Sequence, residues 1–265
     1  MFQEERLLKI MDYLKRHRTM SVKEICAMFE VSRDTARRDI VRLIEQGAAI
    51  RTHGGIALTE LRKELTSYQE RSISHSDSKR NIGKTAAKLI RDHETVILDV
   101  STTVQCAAEQ IAAKHITAVT HSIDNAGVLS NREDVQIYVL GGYLNAKHRF
   151  LYGPSIVDKL IDIRADKAII GASAIGSDGL YYPYEEDVRV KQEMARRSDQ
   201  VIAVADFTKF TGKSFFRLGF DHVDVLITDQ EIPEEFQEIF DRHEVTVIYA
   251  KETEGGEENE TEDYL

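Results

Sequence analysis

The sequence predicts an α/β chain in two parts, a small helical N-terminal domain and a larger domain in which strands and helices alternate. Three observations lead there. A chain of 265 residues with 42% hydrophobic side chains can build a packed core and falls between one large domain and two ordinary ones. Apolar residues recur at helical spacing over the first fifty residues and give way to a double glycine. From residue 77 onward, strand-sized apolar runs alternate with amphipathic helical stretches, which implies right-handed crossovers and a largely parallel sheet.

The first helix covers 4–17, where Leu7, Ile10, Met11 and Leu14 share one face. Ser21 opens the second, and Glu24 three residues later completes a capping-box pattern. Its apolar side runs through Ile25, Ala27, Met28 and Phe29 and ends near Glu30. Ser32 caps a third helix over 33–46, with Gly47 at its C-terminus. Two short helices joined through Phe29-Glu30-Val31 form a helix-turn-helix unit. Residues 50–56, two β-like pieces around Gly54-Gly55, read as a hairpin, the wing of a winged helix.

Beyond it, 59–76 is polar and without strong periodicity, and reads as a linker, in part helical. A helix over 79–91 precedes a buried-type strand at 95–99. Further strands are expected at 116–120, 135–140, 167–170, 200–205, 224–228 and 246–249. Helices at 104–113, 123–129, 155–160, 188–197 and 234–243 separate most of them. The layout is thus a winged helix-turn-helix domain at 1–58, the linker, an α/β domain at 77–250 and an acidic tail at 251–265.

Charge and cysteine content narrow the function classes. The net charge is −10, but residues 1–57 hold eleven basic against eight acidic side chains, and the remainder 24 against 37. Any polyanion contact is therefore confined to the head. Seven acids in the last fourteen residues read as a solvated tail. No apolar run approaches the roughly 18 residues of a bilayer span. The first residues lack the basic patch and apolar core of a leader. Cys26 and Cys106 form no paired motif, so no disulfide framework or zinc site is expected, and a reducing cytoplasm fits. No membrane association, metal or cofactor is expected.

On the third helix, Ala36, Ile40, Leu43 and Ile44 form the stripe that packs inward. At roughly 100° per residue, Thr35, Arg38 and Arg42 point the other way, with Arg33 and Arg37 on the flank. That is the layout of a helix lying in a major groove, its arginines meeting base acceptors or phosphates bidentately. Helices beginning at Ser21 and Ser32 offer free amides to phosphates, and Arg51 and His53 on the wing reach the backbone or adjacent groove. The plain alternative is a solvated face in which Asp34 and Asp39 pair with Arg37 and Arg38. The capped two-helix unit, the glycine wing and the locally positive balance favour the DNA-reading alternative.

The run Val31-Ser32-Arg33-Asp34-Thr35-Ala36-Arg37-Arg38-Asp39-Ile40, with Leu43 and Arg51-Thr52-His53-Gly54-Gly55, resembles the signature of DeoR-family transcriptional regulators. Ile40 stands where that family carries Leu. The resemblance extends over nearly the whole chain. It implies a winged-helix reader of double-stranded DNA and a C-terminal sensor whose fold is similar to sugar-phosphate isomerases. The Asp99-Val100-Ser101-Thr102-Thr103-Val104 and Arg149-Phe150-Leu151-Tyr152-Gly153 segments look closest to a subgroup associated with glucose repression.

Read from the residues, Ser101, Thr102 and Thr103 put three hydroxyls at a strand-to-helix turn, which suits a phosphate, although a serine before a helix is also simply a cap. In open α/β sheets, ligands sit beyond the carboxyl ends of the strands, where Thr120, His121, Ser122, Gly141 and Gly142 also fall. The family pattern adds Asp99 and, further along, Glu186, Lys191 and Lys209 as effector-binding positions, with Lys191 and Lys209 alternatively plain surface lysines. Two departures stand out. Ser101 replaces a usual Gly, and His121 replaces a usual Asn, which makes binding pH-dependent near neutrality. The segment from His148 to Pro154 either closes over a ligand or packs subunits, and Cys106 reads as core.

The expected function is a DNA-binding repressor of carbohydrate-metabolism genes, a homo-oligomer (dimer or tetramer) gated by a phosphorylated sugar. The alternative is a sugar-phosphate isomerase or deaminase carrying a DNA-binding head, with Asp99, Glu186 or Asp187 as base. None of these stands in a catalytic motif, so no enzyme activity is expected.

Overall fold

In the computed structural model, residues 3–17, 19–45, 48–52, 54–58, 68–74, 76–211 and 214–250 are described. They fall into two compact units, Met1–Leu65 and Thr66–Leu265.

The first unit contains α1 (Gln3–His17), β1 (Thr19–Ser21), α2 (Val22–Phe29), α3 (Arg33–Glu45), β2 (Ala49–Thr52) and β3 (Gly55–Leu58). The inward stripes of the three helices, Leu7, Ile10 and Leu14, then Ile25, then Ile40 and Leu43, close on one core. The capping box forms as the sequence predicts: Glu24 N donates to Ser21 Oγ at 3.2 Å and Ser21 N to the Glu24 carboxylate at 2.7 Å. Glu30 turns the chain out of α2 in a left-handed conformation, φ 51°. β2 and β3 form the antiparallel wing hairpin, with Gly54 at φ +102° in its turn. β1 is an addition to the sequence reading. Its three residues pair with β3, too short a run to show alternation. Gly47 and His53 lie outside the described residues.

The second unit is built on a seven-stranded parallel sheet in the order β15-β14-β12-β9-β4-β5-β6. These strands are β4 (Thr95–Leu98), β5 (Thr117–Thr120), β6 (Gln136–Val139), β9 (Ala165–Gly171), β12 (Ser198–Val204), β14 (Val225–Thr228) and β15 (Thr246–Tyr249). Period-two alternation sends Ile97, Ala168, Ile170 and Leu226 into one core and Val96, Leu98, Ile169 and Ile227 into the other. On the first face lie α8 (Pro154–Ile161), α9 (Glu185–Arg196) and α10 (Glu234–Arg242); on the second lie α5 (Ser76–Lys88) and α6 (Thr102–Ala108). α7 (Ile123–Leu129) follows β5. Burial on both faces is what makes these strands near-continuous apolar runs, and hence legible in sequence.

Three features depart from the sequence reading. The hairpin β7 (Tyr143–Asn145) with β8 (Phe150–Tyr152), and a small antiparallel sheet of β10 (Ala174–Gly176), β11 (Gly179–Tyr182) and β13 (Phe216–Leu218), were not expected. Each strand is three or four residues long, below the length at which a period shows. The segment read as a linker, in part helical, does carry a helix, α4 (Tyr68–Ile73), with α5 beginning at its last residue, and what departs is its place in the fold. Tyr68 is buried and its hydroxyl donates to Gln105 Oε1 at 2.6 Å, so 68–76 is part of the second unit. No helix among the described residues is long and apolar enough to cross a membrane.

Candidate functional site

On α3, Ala36, Ile40 and Leu43 are buried while Arg33, Arg37, Arg38 and Arg42 are exposed, with Thr35 half-buried between. One residue interrupts the charged face. Asp39 is completely buried and takes a bidentate contact from Arg6 of α1, Nε to Oδ2 at 2.5 Å and Nη2 to Oδ1 at 3.0 Å. Gln3 Nε2 adds a third donor at 3.0 Å. The plain alternative in which Asp39 neutralises Arg37 or Arg38 is therefore corrected: this carboxylate is spent on bolting α3 to α1. That leaves the exposed arginines without it. Among the described residues, Arg38 makes a 3.4 Å contact from Nε to the Asp34 carbonyl. Arg42 leans back to Gln3 Oε1 at 3.2 Å. Ser32 Oγ accepts from Thr35 N at 3.2 Å and lies 3.0 Å from the Thr35 hydroxyl, so it caps the helix and sits exposed at its first turn. Ser21 is committed to its capping box, and Arg51 is exposed on β2.

In the second unit the chain steps outward from β4 through β5 to β6, then returns to β9 on the other side of β4 and steps outward through β12, β14 and β15. The order reverses between β4 and β9, the place where an open α/β sheet parts its strand ends. Asp99, directly after β4, bridges that parting. Its Oδ2 accepts from Gly171 N at 3.0 Å, its Oδ1 accepts from Lys191 Nζ of α9 at 2.8 Å, and its carbonyl accepts from Asn125 Nδ2 of α7 at 3.0 Å. Gly171 has no room for a Cβ, because the Ser101 side chain fills that space. Lys191, 2% exposed, also pairs with Asp187 one turn earlier and stands 4.8 Å from the centre of the Tyr182 ring.

The electrostatics follow from this packing. Burial alone would drive Lys191 down, and Asp187 and Asp99 more than offset it, so the ammonium stays charged. Asp187 is pushed up by burial against the pull of Lys191. Tyr182, buried with its hydroxyl lacking a hydrogen-bond partner, is held well above its ordinary value. His121, likewise buried with Nδ1 lacking a partner, is pushed down to about 4 by burial, with Asp99 opposing. The expectation that His121 makes this site pH-dependent near neutrality is thus corrected: the ring is neutral there.

The structure brings only part of the sequence-read set together. Asp99, Lys191 and His121 meet at the parting, with Ser101 against Gly171. Thr102 and Thr103 are buried at the start of α6, and Ser101 Oγ accepts from Thr103 N at 3.2 Å, the simple capping role. Thr120 donates to the Leu98 carbonyl at 2.7 Å, and Ser122 caps α7 through Asn125 N at 3.2 Å, so both hydroxyls lock their own loop. Gly141 and Gly142 follow the edge strand β6. The Gly141 carbonyl accepts from Ser155 Oγ at 3.2 Å, and Gly142 lies against the Tyr152 backbone. Glu186 is exposed on the first turn of α9, and Asp187 takes the contact with Lys191. Lys209 is half-buried 3.7 Å from Asp206.

Sequence reading named Asp187 only as a candidate base, not as the partner of Lys191, and missed Tyr182, Asn125 and Arg71. The i,i+4 spacing of Asp187 and Lys191 was an available signal; the others carried none. Arg71 sits on α4, its guanidinium carbon 5.4 Å from the Tyr68 ring centre. Burial lowers it, while Tyr68, Asp187 and Asp99 pull the other way.

The pattern described as a DeoR-like helix-turn-helix domain matches 6–61, and that described as the DeoR C terminal sensor domain matches 74–230. The HTH-type transcriptional repressor GlcR of Bacillus subtilis is 44% identical over 96% of this chain and 99% of its own. The glycerol-3-phosphate regulon repressor of Escherichia coli is 30% identical over 92% and 98%. Among solved structures, ribose 5-phosphate isomerase A of Methanocaldococcus jannaschii aligns with 51% of this chain and 55% of its own at 14% identity and TM-score 0.38. With both patterns matched and curated relatives aligned almost end to end, the chain belongs to the DeoR family of helix-turn-helix transcriptional regulators, a family of regulators and not of enzymes.

Proposed function

We propose that the protein represses carbohydrate-metabolism genes by binding operator DNA, and that a phosphorylated sugar held where β4 and β9 part controls that binding. In this reading 1–58 reads the duplex and 68–250 senses the effector. The observation that carries the DNA half is α3 itself: one helix pinned to α1 through a buried carboxylate, with four arginines left exposed. A helix so fixed presents its first turn to base edges while guanidinium groups grip guanine acceptors or phosphates. The sensing half is supported by a buried cluster of fixed charges, Asp99, Lys191 and Asp187, at a strand-order reversal, a common place for small-molecule sites in open α/β sheets. The similar proteins GlcR and the glycerol-3-phosphate regulon repressor are both repressors, in keeping with this reading.

Control is a matter of linkage: an effector that binds one arrangement of the protein better shifts the population by its differential affinity. Two heads on a homo-oligomer would read half-sites about one helical turn, or a multiple of it, apart. Footprinting on DNA upstream of sugar-uptake genes, with and without a panel of sugar phosphates, tests the reading. Protection is expected to weaken with Arg38→Ala and to change with at least one ester. Protection indifferent to both refutes it.

A further inference from the structure

We infer that Arg71 is the residue that receives the anionic group of the effector, and that it thereby ties effector binding where β4 and β9 part to α4, the first described element after the segment 59–67 that joins the two units. This rests on that parting being the effector site.

Buried polar atoms without partners are few in folded proteins, and each is costly if left so. Among the described residues such atoms include Arg71 Nε, His121 Nδ1, Asn125 Oδ1 and the Tyr182 hydroxyl. Asn125 bonds the Asp99 carbonyl, and the charge of Asp99 is felt by His121, Tyr182 and Arg71 alike. A donor, a neutral imidazole, an amide oxygen and a phenol set around one carboxylate suit a polyhydroxylated ligand bearing a negative charge.

The cations nearby are not equivalent. Lys191 is neutralised by Asp99 and Asp187. Lys79 of α5 donates to the carbonyls of Arg71 and Ser74, the latter at 2.6 Å, and so closes the C-terminal end of α4. Lys209 faces Asp206. At the Ser101–Thr103 turn, hydroxyl and amide already bond each other. The Arg71 Nε is the donor left over, and a guanidinium matches the oxygens of a phosphate monoester two at a time.

The same residue lies on an element poised to respond. α4 is six residues long, too short to be stable by itself. Polar contacts dominate its attachment: Tyr68 N to the Lys147 carbonyl at 3.2 Å, the Tyr68 hydroxyl to Gln105, and the Lys79 ammonium. Ile73 at its end is 79% exposed. An element with so little buried apolar area opens at low cost, and a ligand that bonds it only when docked favours the docked form by mass action.

The test uses the full chain as wild type, Arg71→Gln and Arg71→Lys, probed with glucose 6-phosphate, glycerol 3-phosphate, inorganic phosphate and uncharged glucose. Calorimetry is expected to show wild type binding a phosphate monoester, and not glucose, with Arg71→Gln at least tenfold weaker and Arg71→Lys between. The melting temperature of ligand-free Arg71→Gln is expected to equal or exceed that of wild type. Hydrogen exchange of 68–74 in wild type is expected to slow when the ester binds. Equal ester affinity in wild type and Arg71→Gln, no binding of any ester, or ester binding without slowed exchange in 68–74 would each overturn the inference. The exchange measurement needs no variant and decides the matter if Arg71→Gln does not fold. Gel shifts separate the two proposals. Ester-dependent DNA binding that survives in Arg71→Gln removes the role of Arg71 and leaves the proposed function standing. Wild type without operator affinity removes the proposed function itself.

Discussion

Asp39 shows how a residue inside a DNA-reading motif can serve the scaffold alone. Its carboxylate and the Arg6 guanidinium are both buried, 0% and 8% exposed at the side chain. Removing one partner strands the other as a buried charge, a loss of about 3–5 kcal/mol. Asp39→Ala is therefore expected to unfold the first unit at markedly lower denaturant. Replacing Arg6 and Asp39 together by apolar residues should recover much of that loss, as a double-mutant cycle would show. His121 makes a second prediction. Its ring is held near 4 by burial, against about 6.5 in an unfolded chain. Between those values the unfolded chain takes up a proton that the folded one refuses, so stability is fully present above pH 6.5 and falls as the pH drops toward 4. The loss is about 3 kcal/mol at the rate of 1.36 kcal/mol per pH unit. Urea titrations at pH 7 and pH 4.5 should show it, and His121→Asn should flatten that dependence. At this scale the sequence was half legible. The arginines, Asp99 and Lys191 were nameable from pattern, but which carboxylate faces Lys191, and that Asp39 turns inward, are decided by packing that no spacing rule records.

Elements were more legible than residues. Strands buried on both faces and helices with a single apolar stripe announced themselves, whereas α4 and the three-residue strands did not, because each depends on a partner elsewhere in the chain. The close crossing of α5 and α6 illustrates such dependence. A Cβ on Gly83 would stand 2.6 Å from the Cys106 carbonyl carbon and 2.7 Å from Ala107 N. These are backbone atoms and cannot turn aside. Gly83→Ala is expected to cost about 1–3 kcal/mol through forced separation of the two helices, read as a lowered melting temperature. On α3 the consequence is opposite. Arg37 and Arg38 are exposed, so Arg37→Ala and Arg38→Ala should leave thermal stability within about 0.5 kcal/mol. Each should weaken operator binding by about 1–3 kcal/mol if it contacts a base, or reduce the salt slope by about one if it contacts a phosphate.

For the molecule as a whole, linkage sets a quantitative demand. Whatever factor a sugar phosphate applies to operator affinity, the operator must apply to sugar-phosphate affinity. Titrating the ester with and without duplex, and the duplex with and without ester, should return one coupling free energy; unequal values would mean that the two ligands do not report on the same equilibrium. The charge distribution, a basic head on an acidic chain, was readable from composition; the reversal of strand order was not, since it needs the pairing. A last consequence concerns divergence. The bolt between Arg6 and Asp39 is buried and involves none of Arg33, Arg37 and Arg38, so drift in those outer side chains leaves it in place. Descendants of such a head can acquire new vocabularies while keeping the same grammar.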